Sequence, residues 1–187
     1  MKQVCFSSSL VLIVILVNFH GVHVHGAGLV STACKNAVAR FREKVTYSFC
    51  VASLEANPKS KTYGIEDLGV VAYEHATKKG ISVNSYIHHL LKDGKQSSDV
   101  VVRLKGCSQD YSDIGKIMKD ATGSFRGGDF ESGEIGLDTA EDIVFSCQRR
   151  FDGGFTSPLA KEDNEFLQHI YISYMISEMT VAVWPPS

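Results

Sequence analysis

Residues 101–151 read VVRLKGCSQDYSDIGKIMKDATGSFRGGDFESGEIGLDTAEDIVFSCQRRF, with apolar side chains recurring at steps of three and four. Such steps place apolar side chains on one face of a helix, so the segment predicts two amphipathic helices. Only the glycine-containing break at 126–129 separates them, and the second helix should therefore fold back antiparallel on the first. The first ladder consists of Val101, Leu104, Cys107, Tyr111, Ile114, Met118, Ala121 and Phe125, and the second of Phe130, Gly133, Leu137, Ala140, Val144, Cys147 and Phe151.

The first 26 residues have the pattern of a secretory signal peptide. Lys2 precedes an apolar run, 10–17, that is too short to span a bilayer, and small residues follow it. We expect cleavage after Gly26 and a secreted product with no membrane attachment. Cleavage removes Lys2 and no acidic residue, so the net charge of −2 becomes −3. That balance does not favour a nucleic-acid partner.

Four cysteines remain in the mature chain: Cys34, Cys50, Cys107 and Cys147. In an oxidising compartment they predict two disulfides, for which three pairings are possible. A Cys34–Cys50 bridge would close a short helical hairpin and is the most economical choice, leaving Cys107 and Cys147 to join the central helices. The sequence has no Cys-x-x-Cys or His-x-x-x-His spacing. We therefore expect no metal site and no cofactor.

The rest of the mature chain is also predicted to be helical. Residues 27–62 predict a hairpin of two short helices, and 63–183 predict the main bundle of the same domain. A long helix is predicted over about 63–92, with a kink or weak turn at Gly80 and no full stop, and the last helix, after Pro158, is apolar nearly all round. Long helices joined by short breaks alternate in direction. The predicted fold is all-α, an up-down-up-down four-helix bundle with an N-terminal disulfide-closed α-hairpin.

Catalytic motifs are missing from the sequence, which contains no nucleophile elbow, zinc-protease motif or phosphate-binding glycine loop. The adjacent His88 and His89 would point in different directions on a helix. Acidic residues off the two ladders maintain solubility or dock a basic partner. Because a filled bundle has no cleft, we expect the chain to act through its outer surface and not as an enzyme. The alternative is a bundle that carries a small apolar ligand, which the apolar last helix would favour.

Local signatures occur at the cysteines and turns: STACK (31–35), YSFCVASL (47–54), NPKS (57–60), LKGCSQDY (104–111) and TSPL (156–159). Together with the four cysteines, they resemble the plant invertase and pectin methylesterase inhibitor family over residues 29–179. The segment 57–71, which contains DLGVV, is most similar to the pollen-allergen branch described as putative invertase inhibitors.

The resemblance implies both a structure and a function. It implies the pairing Cys34–Cys50 and Cys107–Cys147. It further implies a non-catalytic protein of the apoplast, the cell wall or the vacuole that blocks an invertase (β-fructofuranosidase) or a pectin methylesterase (pectinesterase) in a 1:1 complex. Inhibitors of pectin methylesterase cover the enzyme's cleft with outer faces of bundle helices. The candidate partner-binding residues are Asp110, Asp113, Lys116, Asp129, Phe130, Asp138 and Glu141.

Two departures from the family pattern bear on the choice of target. Where invertase inhibitors can carry Pro-Lys-Phe, this chain has Gly128-Asp129-Phe130, which keeps the aromatic residue and reverses the charge. Near the fourth cysteine, Glu141 and Gln148 change the charge of a helix on which the family usually has small residues. Matching residues therefore leave both targets open.

Overall fold

The computed structural model describes residues 27–183, and within that range it contains seven α-helices and no β-strand. The predicted signal peptide, residues 1–26, and the predicted tail, residues 184–187, lie outside the described residues. The helices are α1 (Ala27–Phe41), α2 (Tyr47–Glu55), α3 (Ile65–Lys92), α4 (Ser98–Asp110), α5 (Ile114–Arg126), α6 (Phe130–Arg149) and α7 (Ala160–Val183).

Helices α1 and α2 form the predicted N-terminal hairpin. A 3-10 turn, Arg42–Lys44, follows α1, and the Thr46 hydroxyl caps α2 by accepting a hydrogen bond from the Phe49 amide at 3.3 Å. The Cys34–Cys50 disulfide joins the two helices, with 5.6 Å between the Cα atoms. Both cysteines are fully buried. The hairpin therefore closes around its disulfide.

Helices α3, α5, α6 and α7 form the bundle. Helix α3 packs against α5 and α7, and α6 packs against the same two helices, so the four surround one core. The core positions of both ladders, such as Met118 and Leu137, are fully buried. The prediction of an all-α four-helix bundle with a disulfide-closed hairpin is confirmed.

The first ladder differs from its prediction in one respect. It forms two helices, α4 and α5, because a turn at 111–113 interrupts the backbone. The turn places Tyr111 in the core, where its hydroxyl donates a hydrogen bond to Asp163 of α7 at 2.9 Å. The apolar ladder thus stays buried on both sides of the turn. The Cys107–Cys147 disulfide joins α4 to α6, with 4.8 Å between the Cα atoms.

Glycines allow close contacts within the bundle. A Cβ atom at Gly69 would lie 2.1 Å from Cζ of Phe125, and one at Gly80 would lie 2.8 Å from Cζ of Phe166. Helix α3 continues through Gly80, as expected for a helix with no full stop there. Gly80 makes room for an aromatic ring of α7 and does not end the helix.

Helix α7 is buried on most sides, as its sequence predicts. The hairpin helices pack on one part of its surface, and α3 and α6 pack on the rest. This packing explains why α7 is apolar around most of its circumference. Its buried apolar side chains are Phe166, Leu167, Ile170, Tyr171, Ile172, Met175 and Ile176. No helix within residues 27–183 has the length and apolar character needed to cross a membrane.

Candidate functional site

The seven predicted partner-binding residues lie in three separate places. Asp110, Asp113 and Lys116 surround the turn between α4 and α5, whereas Asp129 and Phe130 begin α6. The 13 residues of α5 lie between these two places, and at 1.5 Å per residue they span roughly 20 Å. The other two residues, Asp138 and Glu141, lie midway along α6. The structure therefore does not gather all seven residues into one patch.

At the α4–α5 turn, Asp110 is held in an ion pair within the chain. Its two carboxylate oxygens accept hydrogen bonds from Nε and Nη2 of Arg150 at 2.7 and 2.8 Å. This bond with Asp110 raises the pKa of the Arg150 guanidinium. Lys116 donates to Asp120 at 2.7 Å on the exposed face of α5. Asp113 is exposed and begins α5 without capping it through its side chain.

At the α5–α6 turn, Asp129 and Phe130 contribute to local structure. The Asp129 carboxylate caps α6 by accepting a hydrogen bond from the Ser132 amide at 3.1 Å. Hydrogen bonding with the Ser132 side chain, and to a smaller degree with its amide, lowers the pKa of Asp129. The Phe130 ring is half-buried, with its centroid 5.2 Å from that of Phe125. Gly128 before them has a φ of 83°, in the region that favours glycine. The turn is therefore well specified by its own residues.

The third place is a concave region of the surface, which we call the hairpin groove. It lies between the end of α1, the 3-10 turn and the facing sides of α6 and α7, and its volume is about 1260 Å³. Asp138 and Glu141 are both in it. Its lining residues are Val38, Arg40, Phe41, Arg42, Glu43, Lys44, Val45, Thr46, Glu134, Asp138, Glu141, Tyr171, Tyr174 and Glu178.

Two tyrosines of α7 connect the acidic wall of the groove to its aromatic floor. The Tyr171 hydroxyl donates to Oε1 of Glu141 at 2.5 Å, and the Tyr174 hydroxyl donates to Oδ1 of Asp138. Burial raises the pKa of both phenols, and the adjacent carboxylates raise it further. Phe41 stacks on Tyr171 with 5.0 Å between ring centroids. The phenols therefore stay protonated and hold the two carboxylates in place.

Basic side chains of the hairpin extend over the same floor. Nζ of Lys44 lies 4.9 Å from the ring centroid of Tyr171 and donates a hydrogen bond to its hydroxyl oxygen at 3.1 Å. The Arg40 guanidinium lies 5.5 Å from the ring centroid of Phe41 and 3.7 Å from Glu178. The groove thus combines carboxylates, aromatic rings and cations, which is an arrangement for polar recognition.

Sequence reasoning missed a second polar cluster, which joins the hairpin to the bundle. Oγ of Ser53 lies 3.3 Å from Nδ1 of His75 and 3.2 Å from Nδ1 of His169. Burial lowers the pKa of both imidazoles, that of His169 to about 4. The two histidines are far apart in the sequence, so a search for closely spaced histidines could not find them. Among the described residues, no group of three His, Cys, Asp or Glu side chains is arranged to hold a metal ion.

Comparison with known proteins places the chain in a family. The model of the family "Plant invertase/pectin methylesterase inhibitor" matches residues 28–176. A protein of Platanus acerifolia named "Putative invertase inhibitor" is 31% identical over 158 residues, which are 83% of this chain and 87% of the relative. A protein of the same name from Platanus orientalis is 30% identical over 155 residues, 82% of this chain and 90% of the relative.

Solved structures with the same fold are inhibitors of pectin methylesterase. A mutant form of such an inhibitor from Arabidopsis superposes with a TM-score of 0.64 at 16% identity, covering 80% of this chain and 95% of the other. Another from Arabidopsis thaliana has a TM-score of 0.57 at 14% identity, covering 86% and 99%. At such low identity these structures support the fold alone.

The fold and the groove define a disulfide-stabilised helical bundle with polar side chains in a groove on its outer surface. The chain belongs to the plant invertase/pectin methylesterase inhibitor family, since the family model and the two Platanus proteins both match it over most of its length. The family resemblance predicted from the sequence is therefore confirmed.

Proposed function

We propose that this protein inhibits a plant carbohydrate enzyme, either an invertase or a pectin methylesterase, by forming a 1:1 complex and without catalysis of its own. Membership of the inhibitor family over residues 28–176 is the observation that carries this proposal. The core supports it as well, because large side chains such as Phe166 and Leu137 are fully buried inside the bundle. A filled bundle acts through its surface.

Within that surface, the hairpin groove is the best-supported contact region. Asp138 and Glu141 lie there beside aromatic rings, and aromatic residues are enriched where proteins bind one another. Asp113 and Lys116 are exposed and remain candidates at the α4–α5 turn. The Asp110 carboxylate is occupied by Arg150, so its role would be to hold that turn in shape.

A secreted location follows from the same proposal. Cleavage of residues 1–26 would release the mature protein into the secretory pathway and then to the apoplast, the cell wall or the vacuole. The two buried disulfides support this, because stable disulfides form in oxidising compartments. Packing accounts for the apolar surface of α7, so we do not propose the alternative function as a carrier of an apolar ligand.

Enzyme inhibition provides the direct test. The oxidised recombinant mature protein would be titrated against a plant invertase and against a plant pectin methylesterase. We expect stoichiometric loss of one activity and none of the other, with a 1:1 complex by size-exclusion chromatography. Full activity of both enzymes with micromolar excess of the protein would refute the proposal. Both targets are tested because the Platanus relatives are named for invertase and the solved structures for pectin methylesterase.

A further inference from the structure

The hairpin groove already contains a cation bound to an aromatic ring. Lys44 extends from the 3-10 turn, and its Nζ contacts both the face and the hydroxyl oxygen of Tyr171. The Tyr171 hydrogen is committed to Glu141, so the phenol oxygen is free to accept from a cation. An aromatic face with a carboxylate behind it is the chemistry that recognises lysine and arginine side chains.

The rest of the groove favours positive charge as well. Five carboxylate-bearing residues and three basic residues line it, so its net formal charge is −2. Four of the five acidic residues lie on α6 and α7, opposite the hairpin. Their combined field would attract a basic group from solution. These four are Glu134, Asp138, Glu141 and Glu178.

Lys44 is weakly retained in this position. It is an exposed residue, and an exposed lysine pays side-chain entropy to remain in one conformation. Its turn begins at Arg42, which has a φ of 42° that non-glycine residues rarely adopt. A competing cation could therefore replace Lys44 at a small cost.

We infer that the hairpin groove receives a lysine or arginine side chain of the partner protein at the ring and hydroxyl of Tyr171, which Lys44 contacts in the free chain and whose hydroxyl is bonded to Glu141. The inference rests on the proposed function, in that the partner is the inhibited enzyme. Lys44 then acts as an internal competitor that the partner displaces.

Short peptides test the site without any enzyme. The probes are acetyl-Gly-Arg-Gly-amide and its citrulline counterpart, which keeps the shape of arginine and lacks its charge. NMR titration of the mature protein at low ionic strength should show shifts at Tyr171 and Glu141 with the arginine peptide only. Equal shifts with the citrulline peptide, or arginine-induced shifts away from the groove, would overturn the inference. So would preferential binding of a galacturonate oligomer in the groove.

Paired variants separate this site from general charge attraction. Lys44→Ala should strengthen binding of the arginine peptide about threefold by vacating the site, whereas Lys59→Ala, the same charge change outside the groove, should not. Glu141→Gln should weaken binding about tenfold, whereas Glu131→Gln, on the exposed first turn of α6, should change it less than twofold. Equal effects within each pair would contradict the inference.

Inhibition assays then distinguish this inference from the proposed function. If the wild-type protein inhibits either enzyme, Glu141→Gln should raise the inhibition constant about tenfold and Glu131→Gln should leave it unchanged. If the inhibition constant of Glu141→Gln equals that of the wild type, the inference is disproved and the proposed function stands. If neither enzyme is inhibited, the proposed function fails, and the peptide titration alone decides whether the groove binds basic side chains.

Discussion

The bundle and the N-terminal hairpin are held in place by different kinds of contact. In the bundle, large apolar side chains meet glycines at close range, as Phe125 meets Gly69. The hairpin buries several smaller side chains, such as Val30 and Ala33, and contacts α7 through polar groups as well as through the ring of Phe41. For example, the Thr46 amide donates a hydrogen bond to Oε1 of Gln168 at 3.1 Å. The bundle should therefore be sensitive to shape, and the hairpin to polarity and charge.

Helix α7 also carries opposite kinds of ionisable group on the sides that face the two regions. On the bundle side, Asp163 is fully buried beside Tyr111, and burial raises its pKa to about 7. On the hairpin side, burial lowers the pKa of His169 to about 4, helped by the charges of His75 and Lys79. Each group is thus neutral over a range of pH in which its unfolded form would be charged.

Removal of the bundle disulfide should have the largest effect on stability. Cys107→Ala with Cys147→Ala frees a loop with a sequence separation of 40 residues, which costs about 4 kcal/mol on the loop-entropy model. Chemical denaturation measures this loss. The matched control is Cys34→Ala with Cys50→Ala, whose separation is 16 residues and whose expected cost is about 3 kcal/mol.

Hydrogen exchange makes the same comparison by region. Loss of the hairpin disulfide should increase exchange mainly in α1 and α2, because the bundle helices have their own core. Loss of the bundle disulfide should increase exchange throughout α4 and α6. An equal increase in exchange across all helices in both variants would show that the hairpin and the bundle unfold as one unit.

The buried acid and the buried histidine should give opposite dependences of stability on pH. Between about pH 4 and 7 the folded chain binds a proton at Asp163 that the unfolded chain lacks, so this group makes folding more favourable as the pH falls. His169 makes folding less favourable as the pH falls from about 6.5 to 4, because in that range the unfolded chain binds a proton at this histidine that the folded chain lacks. The two contributions oppose each other in the wild type.

Single substitutions should separate the two contributions. Asp163→Asn should lose stability on going from pH 7 to pH 4 relative to wild type, and His169→Gln should gain it. Each change should be roughly 3 kcal/mol, at about 1.4 kcal/mol per pKa unit. Urea denaturation at several pH values measures both, and the neighbouring Lys79, Glu162 and Glu165 are common to all three proteins. Parallel pH profiles for the two variants would be incompatible with these assignments.

Close packing at Gly69 should show the shape sensitivity of the bundle. Gly69→Ala places a methyl group against the buried Phe125 ring and should cost about 2 kcal/mol, since overpacked cores lose 1–3 kcal/mol. Gly123→Ala is the control, because a Cβ atom there meets nothing within 4 Å. In the interior of α5 it should stabilise by up to about 1 kcal/mol. Thermal unfolding should show a lower melting temperature for Gly69→Ala and a higher one for Gly123→Ala. A shift in the same direction for both variants would count against the packing argument.

The sequence predicted what depends on periodicity and missed what depends on three-dimensional proximity. Helical spacing identified the bundle and the burial of Leu137 and Met118. It could not show the turn at 111–113, because the apolar ladder continues through it while the backbone does not. Nor could it show that Gly80 packs against Phe166, which is distant in the chain.

The candidate site shows the same limit. Asp138 and Glu141 were chosen because they face away from the core, and the structure places both in the hairpin groove. Their tyrosine partners on α7 could not be predicted, since hydrogen bonds between distant residues leave no local pattern. The hydroxyl of Tyr174, for example, donates to Asp138, which is 36 residues away in the sequence.

The smallest expected effect concerns the polar contact between hairpin and bundle. Gln168→Leu removes the acceptor of the Thr46 amide and should cost about 1 kcal/mol, because water can reach the exposed Thr46 and replace part of the bond. At pH 4, where burial favours the protonated carboxyl, Gln168→Glu keeps an acceptor oxygen and should retain most of the stability of the wild type at that pH. Amide exchange of α2 should accelerate in the leucine variant and stay near wild type in the glutamate variant. If α2 were unchanged in both, apolar contacts such as Val30 and the disulfide would suffice to hold the hairpin, and polarity would contribute little to its docking.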